Sequence, residues 1–298
     1  MTTVLQLVQA AMGEMGLTSP QYLAGSTTTD AIQLLALANA VGGELQRKFI
    51  WEALSTEYRF NTQYVATTGT TTAGSAVVTD VGNTTGLDSM YTVLGTGIAQ
   101  DTYVLSRDSS QQVTLNQPAT TSGVVGLTFC KTKYAMPSDY DRPTDNTQWD
   151  KTMHWQMIGP CTAQQWQWLK SGYIATGPRI RWRLLGGLFQ IWPALSATEH
   201  LGFEYISKNW VTTAGGVSAS SFTTDTDTCI FPDRLMIDGL KVFYQRAKGL
   251  GAEYVDDYAE QLSIAQGSDQ GSTVLSLCPQ RVSTLIGWEN IPDSGFGQ

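Results

Sequence analysis

The chain of 298 residues is 42% hydrophobic, enough for one large domain or two ordinary ones with sizeable cores. Its 18 basic and 26 acidic residues leave a net charge of −8, which argues against a protein that grips nucleic acid by neutralising phosphates. The cysteines Cys130, Cys161, Cys229 and Cys278 are far apart and form no CxxC pair, so neither a zinc knuckle nor a disulfide framework is signalled, and buried reduced thiols are expected. The opening run MTTVLQLVQAAMGEMG lacks the basic n-region of a signal peptide. No segment approaches the roughly 20 apolar residues of a membrane span. A soluble protein made in the cytoplasm, with no membrane partner, is expected.

Residues 2–15 place Val4, Leu5, Val8, Ala11, Met12 and Met15 at helical spacing, with Thr2 or Thr3 as N-cap and Gly16 at the stop. A longer helix is predicted from an Asp30 cap through residue 54, with an apolar stripe of Ile32, Leu35, Leu37, Val41, Leu45 and Phe49. Gly42 and Gly43 cost that helix about 1 kcal/mol each, and so point to a close helix contact or a kink. From about 62 to 129, Thr, Ser, Gly and Val dominate in short alternating runs parted by Gly, Asn and Asp, which predicts a small all-β module. The flanking runs EYRFNTQY and TFCKTKYAM alternate as well, and are predicted to be two strands of one hairpin whose tip the module replaces.

Residues 131–212 hold nine basic and six acidic residues, a basic block in an acidic chain. CTAQQWQWLKSG reads as a short helix capped by Thr162. RIRWRLLGGLFQIW reads as a hairpin turning on Gly186-Gly187, with Arg179, Arg181 and Arg183 making one face cationic and the other face buried. HLGFEYISKNWV is a further strand. From Pro232 one long helix is predicted to about Ala265. Residues 266–298 keep Leu277, Leu285, Ile286, Trp288, Ile291 and Phe296 without a sustained period, the composition of an arm built to dock.

Motifs that carry chemistry are sparse. His154 and His200 are the only histidines and neither lies in a GxSxG or HExxH context, so structural or surface roles are expected for both. Gly95-Thr96-Gly97 lacks the strand-loop-helix setting of a phosphate cradle and reads as a turn. In YAMPSDYDRPTD, Asp139, Asp141 and Asp145 share the odd spacing of a calcium loop's start. The loop's glycine and terminal glutamate are missing, however, and Pro143 interrupts it. The preferred reading is a folded corner, with Asp139 or Asp141 capping backbone N–H groups or pairing with Arg142. Asp225 and Asp227 in TDTDT are expected to serve the positive end of the following helix. The arginine stripe and the many tryptophans would suit stacking on single-stranded nucleic acid or, the preferred reading, contacts between subunits.

Taken in order, YAMPSDYDRPTDNTQWD, RIRWRLLGGLFQIWP, LGFEYISKNWV and FTTDTDTCIFPDRLMIDGLKVFYQRAKGLGAEYVDDYAE resemble head-to-tail adaptor (connector, or neck) proteins of tailed bacteriophages, especially the short-tailed type. The resemblance covers most of residues 1–60 and 131–265. It implies a virion structural protein of the head-tail junction, with no catalytic residue, cofactor or metal. It also implies a homo-oligomeric ring, typically of twelve copies, docked between the portal protein and a tail nozzle or other tail protein. Double-stranded DNA would pass through its channel without sequence recognition and be retained until genome ejection. Arg179, Arg181 and Arg183 are then expected at inter-subunit contacts, and Leu277, Leu285, Ile286, Trp288, Ile291 and Phe296 on a portal-docking arm. The expected fold is α+β. Residues 1–61 and 131–265 form an adaptor core of N-terminal helices, a long C-terminal helix and an antiparallel β region. Residues 62–130 are an inserted β module, and 266–298 an extended arm. Two alternatives stand beside this: a tail-tube, nozzle or receptor-facing β protein, favoured by the Thr/Gly-rich insert, and a phage hydrolase using Asp139 or Asp141.

Overall fold

A computed structural model of the chain describes residues 2–171, 177, 179–251 and 253–270. They form a mixed α+β architecture with antiparallel sheets. The helices are α1 (Val4–Glu14), α2 (Thr29–Lys48), α3 (Ala163–Lys170), α4 (Asp233–Lys248) and α5 (Val255–Gln270). The strands are β1 (Ser55–Asn61), β2 (Tyr64–Thr71), β3 (Val77–Val78), β4 (Tyr91–Gly95), β5 (Val104–Arg107), β6 (Val113–Leu115), β7 (Gly123–Lys131), β8 (Lys133–Ala135), β9 (Tyr140–Pro143), β10 (Trp149–Asp150), β11 (Trp155–Gln156), β12 (Arg181–Leu185), β13 (Leu188–Trp192), β14 (His200–Ser207), β15 (Val211–Thr212), β16 (Ser218–Ala219) and β17 (Thr228–Cys229). Among the described residues, 2–56, 139–143 and 205–270 form one compact unit, and 57–138 with 144–204 a second.

In the first unit α1 opens on a capping box: Thr3 Oγ1 accepts the Gln6 N–H at 3.4 Å, and Gln6 Oε1 accepts the Thr3 N–H at 3.1 Å. Its buried Val4, Leu7, Val8 and Ala11 join α2, α4, Trp51, Trp210 and Phe231 in one core. α2 is capped at Thr28, with Asp30 in its first turn rather than at the cap. Its buried face is Ala31, Leu34, Ala38, Val41, Gly42, Leu45 and Gln46, which leaves Ile32 of the predicted stripe 53% exposed. The face is rotated from the one that large side chains suggest because α2 packs through small residues. A Cβ on Gly42 would lie 2.0 Å from Trp210 Cη2, whereas one on Gly43 would meet nothing within 4 Å. Only Gly42 is the close contact that the glycine pair predicted.

The single long helix expected from 232 to 265 is two helices. α4 stops at Gly249, whose φ of 68° is the left-handed C-cap conformation. α5 starts at Val255 and continues past Ala265 to Gln270. Tyr254, Tyr258 and Leu262 keep their contacts with the first-unit core across the break. This is why their spacing read as unbroken. Leu277, Cys278, Leu285, Ile286, Trp288, Ile291 and Phe296 lie outside the described residues.

In the second unit β2 and β7 pair along their full lengths, from Tyr64↔Cys130 to Thr71↔Gly123, and β4 flanks β7. β3, β6 and β5 form another small sheet. Val78, Val93, Val104, Leu115, Leu127 and Phe129 give this stretch a core of its own. The hairpin predicted from the flanking runs forms only at their inner ends, where Tyr64 pairs with Cys130 and the Lys131 N–H reaches the Gln63 carbonyl. β1 pairs with β14, β8 with β13, and β7 with the module's own first strand. The β12–β13 hairpin does turn on Gly186-Gly187, at φ 62° and 74°. Arg181 and Arg183 stand opposite Trp192 and Gln190, while Trp182 stacks on Phe189 at 5.3 Å on the other face.

Gly42→Ala should destabilise the protein by about 2–3 kcal/mol because the Trp210 indole has to move. Gly43→Ala should stabilise it by about 0.5–1 kcal/mol. Chemical-denaturant unfolding of the two variants measures both.

Candidate functional site

The Asp-rich corner of the first unit is framework. Asp139 accepts hydrogen bonds from Tyr205 Oη and Ser207 Oγ, both at 2.8 Å, and its carbonyl accepts the Lys208 N–H at 2.7 Å. Arg142 pairs with Asp141 at 2.8 Å and donates to the carbonyls of Gln46 (3.3 Å) and Phe49 (2.9 Å). The last turn of α2 therefore receives a cation where its carbonyls lack helical partners. Gln46 Nε2 closes the circuit on Asp141 at 3.1 Å. Asp145 belongs to the second unit and is exposed. Beside the corner is a cleft of about 780 Å³ whose lining includes Glu44, Arg47, Lys48, Asp141, Lys208 and Trp210. Its mixed charge suits a polar protein surface.

Asp225 and Asp227 do not cap α4, as expected from sequence, but organise the start of the chain. The Asp227 carboxylate is fully buried and accepts the N–H groups of Thr223 (2.7 Å) and Thr224 (2.8 Å) as well as both threonine hydroxyls. Its carbonyl accepts the Val4 N–H at 2.8 Å, so an orphan donor of α1 is satisfied by backbone. Asp225 Oδ1 takes the N–H groups of Leu23 (2.9 Å) and Ala24 (2.8 Å). Burial would raise the Asp227 carboxyl, but the hydrogen bonds from Thr224 and Thr223 outweigh it and lower the pKa.

The arginine stripe is only partly a strand. Arg179 precedes β12, and Arg181 and Arg183 are half-buried. Their cross-strand partners Trp192 and Gln190 are 5% and 7% exposed, and Trp192 packs with Cys161, Trp166 and Leu169. The cationic face is thus half-buried over Trp192 and Gln190, while Trp182 and Phe189 bury the other face. Cys130, Cys161 and Cys229 are buried, and burial pushes Cys130 to about 11 and Cys229 to about 12.

A second cleft, of about 400 Å³, is lined by Arg59, Phe60, Asn61, Lys151, His200 and Leu201. Glu57 bonds both Arg59 and Lys151, and these two bonds hold its carboxyl at about 2. Lys151 lies across Gly202, where a Cβ would be 2.8 Å from Lys151 Cε. His200 Nδ1 is 2.5 Å from Asn61 Oδ1. His154 is exposed, with φ 58°. Among the described residues, no group of three His, Cys, Asp or Glu side chains is placed to hold a metal.

Sequence reasoning missed a buried carboxyl pair, Asp150 and Glu199, 4% and 8% exposed. One signal was available. Carrying the alternation of HLGFEY backwards places Glu199 on the covered face with Leu201 and Phe203.

Neither a protein-family model nor a curated protein matches this chain. The folded Asp227 carboxyl binds its proton less tightly than the ordinary value of 3.8 implies, so its loop contributes stability above that pH that is lost as the pH falls through the lowered value. Asp227→Asn should flatten this acid limb and lower Tm at neutral pH. Thermal melts of both proteins from about pH 2 to pH 7 test it.

Proposed function

We propose that the chain is a virion structural protein, a head-to-tail adaptor that assembles into a ring between portal and tail and lets packaged DNA through. One observation carries the reading. Stretches that bear the adaptor resemblance meet in the first unit, and their carboxylates are engaged in framework bonds: Asp139 to β14, Asp141 to Arg142, and Asp225 and Asp227 to the start of the chain. Motifs used in this way build a scaffold rather than turn over a substrate. The acid balance of the chain agrees with a channel through which DNA slides instead of being held. Ring closure needs two different faces on each copy. On this reading the mixed-charge cleft around Arg47, Lys48 and Lys208 is available for one of them.

The β module favours a second reading, a tail-tube or receptor-facing β protein, because it carries a core of its own. Light scattering and cryo-imaging of the purified chain, alone and with its portal protein, should give rings in at least one condition. Monomers in both would overturn the adaptor reading. Joining residue 62 to 131 directly is feasible, since the Lys131 N–H already reaches the Gln63 carbonyl at 2.8 Å. The shortened chain should still form rings. A folded chain that has lost assembly would instead favour the β-protein reading.

A further inference from the structure

Two carboxyl groups of the second unit are buried, and among the described residues no cation pairs with either. The Asp150↔Leu201 register of β10 and β14 sets Glu199, two residues before Leu201, on the same covered face as Asp150. Asp150 Oδ1 accepts the N–H groups of Thr152 (2.9 Å) and Met153 (3.1 Å), which closes the turn after β10. Glu199 is fixed through its backbone: its N–H donates to Thr62 Oγ1 at 2.8 Å, and its carbonyl accepts the Thr62 N–H at 2.9 Å. Its Oε2, however, is buried with no hydrogen-bond partner. Such a setting accommodates a protonated carboxyl bonded to its neighbour, whereas two ionised ones would repel each other without compensation.

The other ionisable groups nearby point elsewhere. Lys151 and His200, the chain neighbours of the pair, are exposed and bound to Glu57 and Asn61. Arg59, His154 and Glu204 are exposed as well. Among the described residues, the charged group that acts on Glu199 is Asp150.

We infer that Asp150 and Glu199 hold one proton between them and use it as a latch on the turn 150–154, closed while the proton is bound and loosened, with Lys151 at the rim of the smaller cleft, when it leaves. Burial first, and then the Asp150 charge, pushes Glu199 from 4.5 to about 7, so the latch works near neutrality. Because the folded value is raised, the stability that the pair contributes is full below 4.5 and is lost as the pH rises through about 7. The turn presents Met153 and adjoins Trp149 of β10, 48% and 43% exposed, so its opening changes an apolar surface. The inference does not depend on the adaptor reading.

Hydrogen exchange of the full chain, followed by mass spectrometry from about pH 5 to pH 9 and corrected for intrinsic rates, tests the latch. Protection of the peptide covering 148–156 should fall roughly tenfold or more across neutrality, while peptides of α4 stay constant. Glu199→Gln should abolish the fall. Asp150→Asn, which keeps an acceptor for the two turn N–H groups, should move it to lower pH. Protection independent of pH in the wild type, or a fall of the same size and midpoint in Glu199→Gln, would overturn the inference. So would a fall that millimolar calcium suppresses, because the pair would then be a cation site. If Glu199→Gln does not fold, the wild-type series and Asp150→Asn decide.

Discussion

The first unit depends on a short polar loop, residues 223–227. Its three stretches of chain are far apart in sequence, and apolar packing alone, being non-directional, does not fix the register of α1 against the rest. The buried Asp227 carboxylate shapes the loop, while the loop's carbonyls receive the first N–H groups of α1 and Asp225 receives those of Leu23 and Ala24. A buried charge with every partner in place is directional in a way that leucines are not. Arg142 does the same at the far end of α2. A second polar group, Lys241 with Asp238 and Glu14, ties α4 to α1 from within.

Much of the first unit was legible because helices announce themselves locally. The capping box at Thr3 follows from a threonine with a glutamine three residues on, as does that at Thr162 in the second unit. What failed were the points where tertiary packing outranks local pattern. Ile32 looked like core, but α2 turns Ala31, Ala38 and Gly42 inward, and Trp210 packs against Gly42. Gly249 ends α4, yet the apolar period resumes in phase in α5, so spacing alone hid the break. The Asp225–Asp227 loop was correctly read as a backbone-binding element, but assigned to the helix beside it in sequence rather than the one beside it in space.

The second unit was legible in kind and not in pairing. Alternation and turn residues located the β module and the Gly186-Gly187 hairpin. No local signal, however, shows that β1 takes β14 as its partner, because strand pairing between distant segments is decided by the whole sheet. The alternation of β14 marks Glu199 as inward-facing, but its pairing with Asp150 follows only from the β10–β14 register. A side chain at Gly202 would meet the end of the Lys151 side chain, which lies over that position.

The buried thiols have a consequence for handling and for life outside a reducing compartment. With pKa values near 11 and 12, Cys130 and Cys229 hold only about one thiolate in ten thousand or fewer at pH 7. The thiolate is the species that exchanges disulfides, binds soft metals and meets alkylating reagents. Cys130 and Cys229 are thus slow partners for disulfide exchange and alkylation at neutral pH while the fold keeps them buried.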